Sequence, residues 1–312
     1  MRLLLDRTGI IEAQARVGPY IRRTPVMELE PGAFGLPCRV MLKLEQLQLA
    51  GSFKPRGAFN RMLSNPIPEA GVIAASGGNH GVAVALAARR LGVPAAIFVP
   101  TIASPAKLQR IREEGAEVVV GGATYAEALA ASTARAEETG ALVVHAYDQP
   151  EVVLGQGTVG LELQEQAPGL DCVLVAVGGG GLIGGIALAY EGAATRIVGV
   201  EPRLAPTLHD AMAAGRPVPV AVSGIAADSL GARETGGLAF EIARPRVERV
   251  VLVEDEAIRE AQRAVWRELR IVVEPGGAAA FAALLSGAHP AAREARVGIV
   301  LCGGNADPGS VA

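Results

Sequence analysis

Gly51-Ser52-Phe53-Lys54-Pro55-Arg56-Gly57-Ala58-Phe59 is the stretch from which the fold can be read outward. It joins a run of strand formers, Val40 to Glu45, to a segment from Pro55 to Leu63 with proline in its first turn, which predicts a strand-to-helix turn. Such turns are where α/β proteins place their chemistry. Lys54 sits in this one, and the chain carries 26 Arg but only three Lys, at 43, 54 and 107. A guanidinium stays protonated, whereas an ammonium can lose its proton and become a nucleophile. A lysine kept in an arginine-rich chain therefore points to an amine that must at times be neutral. A solvated lysine at a helix start is the plainer alternative, and this stretch alone does not choose between them.

Around it the pattern alternates. Residues 8–21 read as an amphipathic helix. Val72 to Ala75, Ala95 to Val99, Glu117 to Val120 and Leu142 to His145 read as strands, separated by helices over Gly81–Leu91, Ser104–Glu114 (Ser104 as N-cap, Pro105 in the first turn) and Tyr125–Glu138. A second series begins with a helix at Glu151–Gln166. Strands at Cys172–Val177, Arg196–Val200, Val250–Val253 and Val297–Leu301 follow, with helices to Tyr190, over Asp255–Leu269 and over Gly277–Leu285. Residues 216–235 read as an unassigned loop. Strands apolar on both faces belong in parallel sheets covered by helices. The expectation is an α/β protein of two parallel-sheet domains, a small one at 65–146 and a large one made of 1–64 and 147–312.

Composition narrows the function. A chain of 312 residues, half of them hydrophobic, buries a core large enough to divide in two. A net charge of −3 without any Lys/Arg run argues against nucleic acid or an anionic membrane as partner. Met1 to Asp6 is too short an apolar run for a signal peptide, and no window offers the roughly 18 apolar residues of a membrane span. Cys38, Cys172 and Cys302 are odd in number and scattered, which fits a reducing, cytoplasmic setting, and they form no zinc-like spacing with the four His.

Three strand ends run into glycine-rich turns: Ser76-Gly77-Gly78-Asn79-His80-Gly81, Gly178-Gly179-Gly180-Gly181-Leu182, and Cys302-Gly303-Gly304-Asn305. Glycine admits close approach of a ligand to the backbone, and a helix N-terminus offers free N–H groups to an anion. Ordinary tight turns are the bland alternative, which three such turns at strand ends outweigh. Gly179-x-Gly181-x-x-Gly184 is also a formal dinucleotide fingerprint, with Glu201 ending the next strand, so an NAD-dependent oxidoreductase is one reading. It leaves Lys54 and the two Gly-Asn turns without a task. A phosphate cradled by the tetraglycine turn, with a covalent lysine elsewhere, accounts for more.

Ser52-Phe53-Lys54-Pro55-Arg56-Gly57-Ala58, then Ser76 to Gly81, then Gly178 to Leu182, resembles the fold-type II pyridoxal-phosphate enzymes of tryptophan-synthase-β-like architecture. Within them it is most similar to the serine/threonine dehydratase and serine racemase branch. The similarity runs from Arg22-Arg23-Thr24-Pro25 to Asn305. It implies pyridoxal 5'-phosphate as cofactor, Lys54 as the Schiff-base lysine and general base, and Phe53 against the pyridine ring. It further implies Asn79 on the ring hydroxyl, Gly178, Gly179, Gly180, Gly181 and Leu182 on the phosphate, and Cys302 facing the pyridine nitrogen. Glu274 would stand on the cofactor side, and Ser76, Asn79 and His80 on the turn that receives the substrate carboxylate. Asp228 lies in a segment resembling an active-site loop. Glu201 and the carbonyl of Ala205 resemble ligands of a divalent-cation site for Mg²⁺ or Ca²⁺, with Thr207 where a second carboxylate is expected.

The implied reaction is ammonia loss from a hydroxy amino acid, L-threonine to 2-oxobutanoate or L-serine to pyruvate, in amino-acid metabolism and isoleucine biosynthesis. A thiol at Cys302 is a weak neutral donor, so prompt elimination is favoured over long-lived intermediates. Racemase-like members carry a serine at the position of Gly77 that protonates the opposite face of Cα. Gly77 cannot, so dehydration is expected to exceed racemisation. A β-replacement enzyme, cysteine synthase-like, is a nearer rival, but those usually show a Thr-Ser-Gly-Asn turn. The resemblance also implies a homodimer. The chain ends at Ala312 without room for a C-terminal regulatory domain, so feedback by isoleucine is not expected.

Overall fold

The computed structural model describes residues 4–103 and 105–310. Ser104, expected as an N-cap, lies outside them. The chain opens with α1 (Arg7–Val17), capped by the Asp6 carboxylate, which accepts from the Gly9 N–H at 3.0 Å. Next come β1 (Val26–Glu28), β2 (Arg39–Lys43) and α2 (Lys54–Leu63). An unbroken alternation follows: β3 (Val72–Ala75), α3 (Asn79–Leu91), β4 (Ala95–Val99), α4 (Pro105–Glu113), β5 (Glu117–Val120), α5 (Tyr125–Thr139) and β6 (Leu142–Val143). These four strands form one parallel sheet, in the order β5-β4-β3-β6.

The second series supplies α6 (Pro150–Gln166), β7 (Cys172–Ala176), α7 (Gly181–Ala189), β8 (Arg196–Pro202), α8 (Thr207–Ala214), α9 (Ala227–Leu230), α10 (Gly237–Ala243), β9 (Val247–Val253), α11 (Asp255–Leu269), α12 (Pro275–Leu285) and β10 (Arg296–Val300). With β1 and β2 they make a six-stranded sheet in the order β1-β2-β10-β7-β8-β9. Every pairing in it is parallel except β1 with β2. The fold is thus α/β with two sheets of parallel strands. All five residues of β7 are buried, as expected of a strand covered by helices on both faces.

Four of these elements were absent from the sequence expectation. β1 is a three-residue antiparallel edge, too short to show a period. The others are α8 and α10, and the segment read as a loop at 216–235 holds the single turn of α9. The border between the two units is shared by α2. Ala58, Phe59 and Met62 pack into the core beneath the four-stranded sheet with Val82 to Ala88 of α3. Among the described residues no helix is long and apolar enough to cross a membrane.

Beneath α2 lies a buried ionic cluster. Arg56 is fully buried and gives its guanidinium to Glu45 (2.7 Å to each carboxylate oxygen) and to Glu162 (2.8 and 2.9 Å). Lys43 Nζ reaches Glu162 at 2.6 Å, the Thr24 carbonyl at 2.8 Å and Gln166 Oε1 at 2.8 Å. Three acceptors match the three hydrogens of an ammonium, and two cations balance two carboxylates. Burial by itself would lower the Arg56 pKa, but its two carboxylate partners raise it above the ordinary value. The cluster fixes α2, and with it the residue at its first position, Lys54.

Candidate active site

The turn before α2 is stitched to the turn after β10. The Phe53 N–H donates to the Cys302 carbonyl at 3.1 Å, the Gly304 N–H donates to Gly51 at 2.9 Å, and Ser52 forms an isolated antiparallel bridge with Gly303. Residues about 250 apart in sequence are thereby placed side by side. From this platform Lys54 projects into a cleft between the two sheets, where Nζ donates to the Ala146 carbonyl at 2.8 Å and lies 5.1 Å from the centroid of Phe53. Burial lowers its pKa from 10.5 to about 8, against the opposing pull of Glu274. An amine so placed is neutral in an appreciable fraction at physiological pH.

The tetraglycine turn forms the facing wall of the same cleft. Among the described residues, the N–H groups of Gly178, Gly179, Gly180, Gly181 and Leu182 have no hydrogen-bond acceptor in the protein. They stand at the start of α7, where the helix dipole adds to their attraction for an anion. Glycine is required here on two counts. Gly180 has φ of +93°, and a Cβ on Gly179 would come 2.3 Å from the ring of Tyr147. Five unspent donors, and a turn that no side chain can enter, suit a phosphate.

Asn79, Glu274 and Cys302 complete the lining. Asn79 opens α3, and its Nδ2 donates to Glu274 Oε1 at 2.6 Å. Glu274 precedes α12, and burial raises its pKa to about 7, partly offset by the Asn79 hydrogen bond. The Cys302 thiol donates to the Gly276 carbonyl at 3.5 Å, and burial raises its pKa well above the ordinary value, so it is a neutral thiol. The residues expected to hold the cofactor, from Phe53 to Cys302, therefore share one cleft, although they come from both sheets.

The turn before α3 is arranged differently. Ser76 Oγ accepts from the Gly78 N–H at 3.2 Å. His80 turns away into the protein, where Nε2 bonds the Val144 carbonyl at 2.8 Å and burial lowers its pKa to about 3. Neither side chain lines the cleft. What this turn offers a carboxylate is backbone N–H at a helix start. A Cβ on Gly77 would lie 2.9 Å from Val99 Cγ1, so that position has little room for any side chain.

The expectation of a divalent cation at Glu201 and Ala205 does not fit the donor set. Glu201 is fully buried. Its Oε1 accepts from the Leu208 N–H at 2.8 Å and lies 2.7 Å from the Thr207 hydroxyl, and its Oε2 accepts from the His209 N–H at 2.9 Å. The Ala205 carbonyl accepts from the Thr207 N–H at 3.1 Å. A cation would have to displace the first turn of α8, which Glu201 caps. Among the described residues no cluster of three His, Cys, Asp or Glu is placed to hold a metal. The Thr207 hydroxyl also lies 2.7 Å from the Gly178 carbonyl, and so links the cap to the phosphate turn. Burial raises the Glu201 pKa to about 7, opposed by these hydrogen bonds. The same enclosure removes Glu201 as a ribose ligand, and with it the basis of the NAD reading.

Several contacts around the site were not anticipated, although Asp228 lies in the segment that resembles an active-site loop. Tyr147 lies against Gly179, and Asp148 accepts from the N–H groups of Gly237, Leu238 and Ala239 at the start of α10. Asp228 forms an ion pair with Lys107 of α4, and Ser229 Oγ accepts from the Gly276 N–H at 3.1 Å. Asn305 donates to Asn79 Oδ1 at 2.7 Å, and Arg110 of α4 donates to Asn305 Oδ1 at 2.7 Å. The Gly-Asn pairing of Gly304-Asn305 and the loop resemblance around Asp228 were the signals among these. The others act through contacts between residues far apart in the chain.

Comparison with known proteins agrees with this geometry. Residues 17–303 match the family model described as pyridoxal-phosphate dependent enzyme. The chain is 41% identical over 308 residues to an L-threonine ammonia-lyase of Geobacter sulfurreducens, covering 97% of this chain and 76% of that protein. It is 39% identical to a phenylserine dehydratase of Ralstonia pickettii, covering 99% and 96%. Among solved structures, maize serine racemase superposes with a TM-score of 0.92 at 37% identity, covering 98% of this chain and 95% of that one.

Proposed function

The chain belongs to the pyridoxal-phosphate dependent enzymes, of the branch that holds dehydratases and serine racemases, and from that premise we propose that it is a hydroxy-amino-acid ammonia-lyase. Its substrates in this proposal are L-threonine, converted to 2-oxobutanoate and ammonia, and L-serine, converted to pyruvate and ammonia. The carrying observation is an asymmetry. Lys54 gives the cleft an amine that is readily neutral, while Gly77 has no side chain to act on a second face.

Pyridoxal phosphate, when bound, supplies the electron sink that makes the Cα proton of the substrate removable. The rest falls to this chain. The N–H groups of Gly178 to Leu182 would hold the phosphate, Phe53 would pack against the ring, and Asn79 would donate to the ring oxygen. The Cys302 thiol, whose one hydrogen lies toward the Gly276 carbonyl, would give the ring nitrogen at most a weak donor, which would keep the sink moderate and favour rapid loss of the β-hydroxyl. The start of α3, at Ser76 to His80, receives the substrate carboxylate through its backbone. Lys54 Nζ takes the Cα proton, from a position set by α2 and the ionic cluster beneath it. Water leaves as the β-hydroxyl and re-enters at Cα as ammonia departs, so no oxidant is required.

The test is to incubate the cofactor-loaded protein with L-threonine and with L-serine, measuring 2-oxo acids and, by chiral separation, D-serine. Oxo acid from both substrates, well in excess of D-serine, is expected. D-serine formed faster than pyruvate would make the protein a racemase instead.

A further inference from the structure

Four side chains form a hydrogen-bonded chain that leads to the cleft: Arg110 of α4, Asn305 after β10, Asn79 of α3 and Glu274 before α12. The links are 2.7 Å from Arg110 to Asn305 Oδ1, 2.7 Å from Asn305 Nδ2 to Asn79 Oδ1, and 2.6 Å from Asn79 Nδ2 to Glu274 Oε1. Asn305 Nδ2 also donates to the Ala50 carbonyl at 2.8 Å. Two members come from each sheet's unit, and they alternate along the line.

An arginine can only donate, and a backbone carbonyl can only accept. Between Arg110 and Ala50, the Asn305 amide has one orientation. Turned over, it would set NH₂ against the guanidinium and oxygen against the carbonyl. Asn305 must then present NH₂ to Asn79, and Asn79 must answer with its oxygen. Of the two hydrogens on Asn79 Nδ2, one goes to Glu274 Oε1 and the other is left as a donor at the cleft. We propose that Arg110 is a positioning residue that, through Asn305, fixes Asn79 as a hydrogen-bond donor to the cofactor's ring oxygen. Arg110 does not line the cleft. It acts together with Glu274, which accepts from the same amide, to set which end of Asn79 faces inward.

This rests on the assignment of Asn79 to the ring oxygen, and the experiment separates the two ideas. A donor at that oxygen favours the ionised ring form, so the ratio of the visible to the near-ultraviolet band of the lysine-bound cofactor reports on it. Arg110→Met is expected to lower that ratio and weaken pyridoxal phosphate binding by about tenfold, the effect of losing one oriented hydrogen bond to a charged group. Arg110→Lys, still a pure donor, restores both. Asn305→Asp, which replaces the donating NH₂ by oxygen at nearly constant shape, reproduces the loss if Arg110→Met does not fold. Asn79→Ala is the reference. If Asn79→Ala changes the spectrum and affinity while Arg110→Met and Asn305→Asp leave both unchanged, the relay is wrong and the Asn79 assignment stands. If Asn79→Ala also changes nothing, the assignment itself fails and the relay with it.

Discussion

Lys54 Nζ is held by the carbonyl of Ala146, at 2.8 Å, so the amine on one unit is anchored to the chain that leaves the last strand of the other. The bond aims Nζ, and the surrounding burial lowers its proton affinity.

The first prediction follows from that affinity. Only the neutral amine attacks an aldehyde, and the Lys54 pKa is lowered to about 8. Cofactor-free protein should capture pyridoxal phosphate faster as pH rises, with the rate levelling above about pH 8. An ordinary lysine would keep gaining rate for two further pH units. Stopped-flow absorbance measures this, and Lys54→Ala should show neither covalent absorbance nor turnover.

Gly77 gives the second. A side chain there meets Val99 Cγ1 at 2.9 Å, so Gly77→Ser should destabilise the protein by about 1–3 kcal/mol through overpacking. Val99→Ala in the same chain should restore most of the loss. Thermal melts of the single and double variants check this, and unchanged melting of the single variant would contradict the geometry.

The third concerns Glu201. Its oxygens already accept from α8, so chelator should leave turnover within about twofold, the range of ordinary surface perturbation. Thr207→Val, which removes the hydroxyl between Glu201 and Gly178, should cost about 1 kcal/mol of stability. Severalfold stimulation by Mg²⁺ or Ca²⁺ would instead show that a cation can open the first turn of α8.

The fourth is the ionic cluster. Glu162→Ala leaves Lys43 and part of Arg56 buried without a counter-charge, and should destabilise by about 3–5 kcal/mol in urea titration. Burial pushes the Glu162 pKa up, but Arg56 and Lys43 outweigh it and hold it below the ordinary value. The native state therefore binds fewer protons than the unfolded chain just below the ordinary carboxylate range. The Glu162 contribution is present above that range and fades as pH falls through the depressed value. The parent chain should lose more stability on acidification than Glu162→Ala.

Much of this architecture was legible because it is local. The turn at Lys54, the tetraglycine turn and the alternation from Val72 to Val143 are each set by neighbours in sequence. What escaped was set across the chain. Glu201 looked like a ligand because the helix it caps, Thr207 to Ala214, gives no strong start signal. His80 stood beside Asn79 in a polar turn, yet one step along a helix start rotates its ring toward Val144. Tyr147, Arg110 and Asn305 reach the site over about 30 to 226 residues of sequence, and no periodicity marks them.

The pairing of β2 with β10 has a further consequence for biosynthesis. A ribosome releases Arg39–Lys43 about 250 residues before the strand that lies beside it. Throughout that interval β2 presents one unpaired edge, and the Lys54 turn lacks the backbone it is stitched to. The nascent chain should therefore be unable to load its cofactor until Cys302 to Gly304 have emerged.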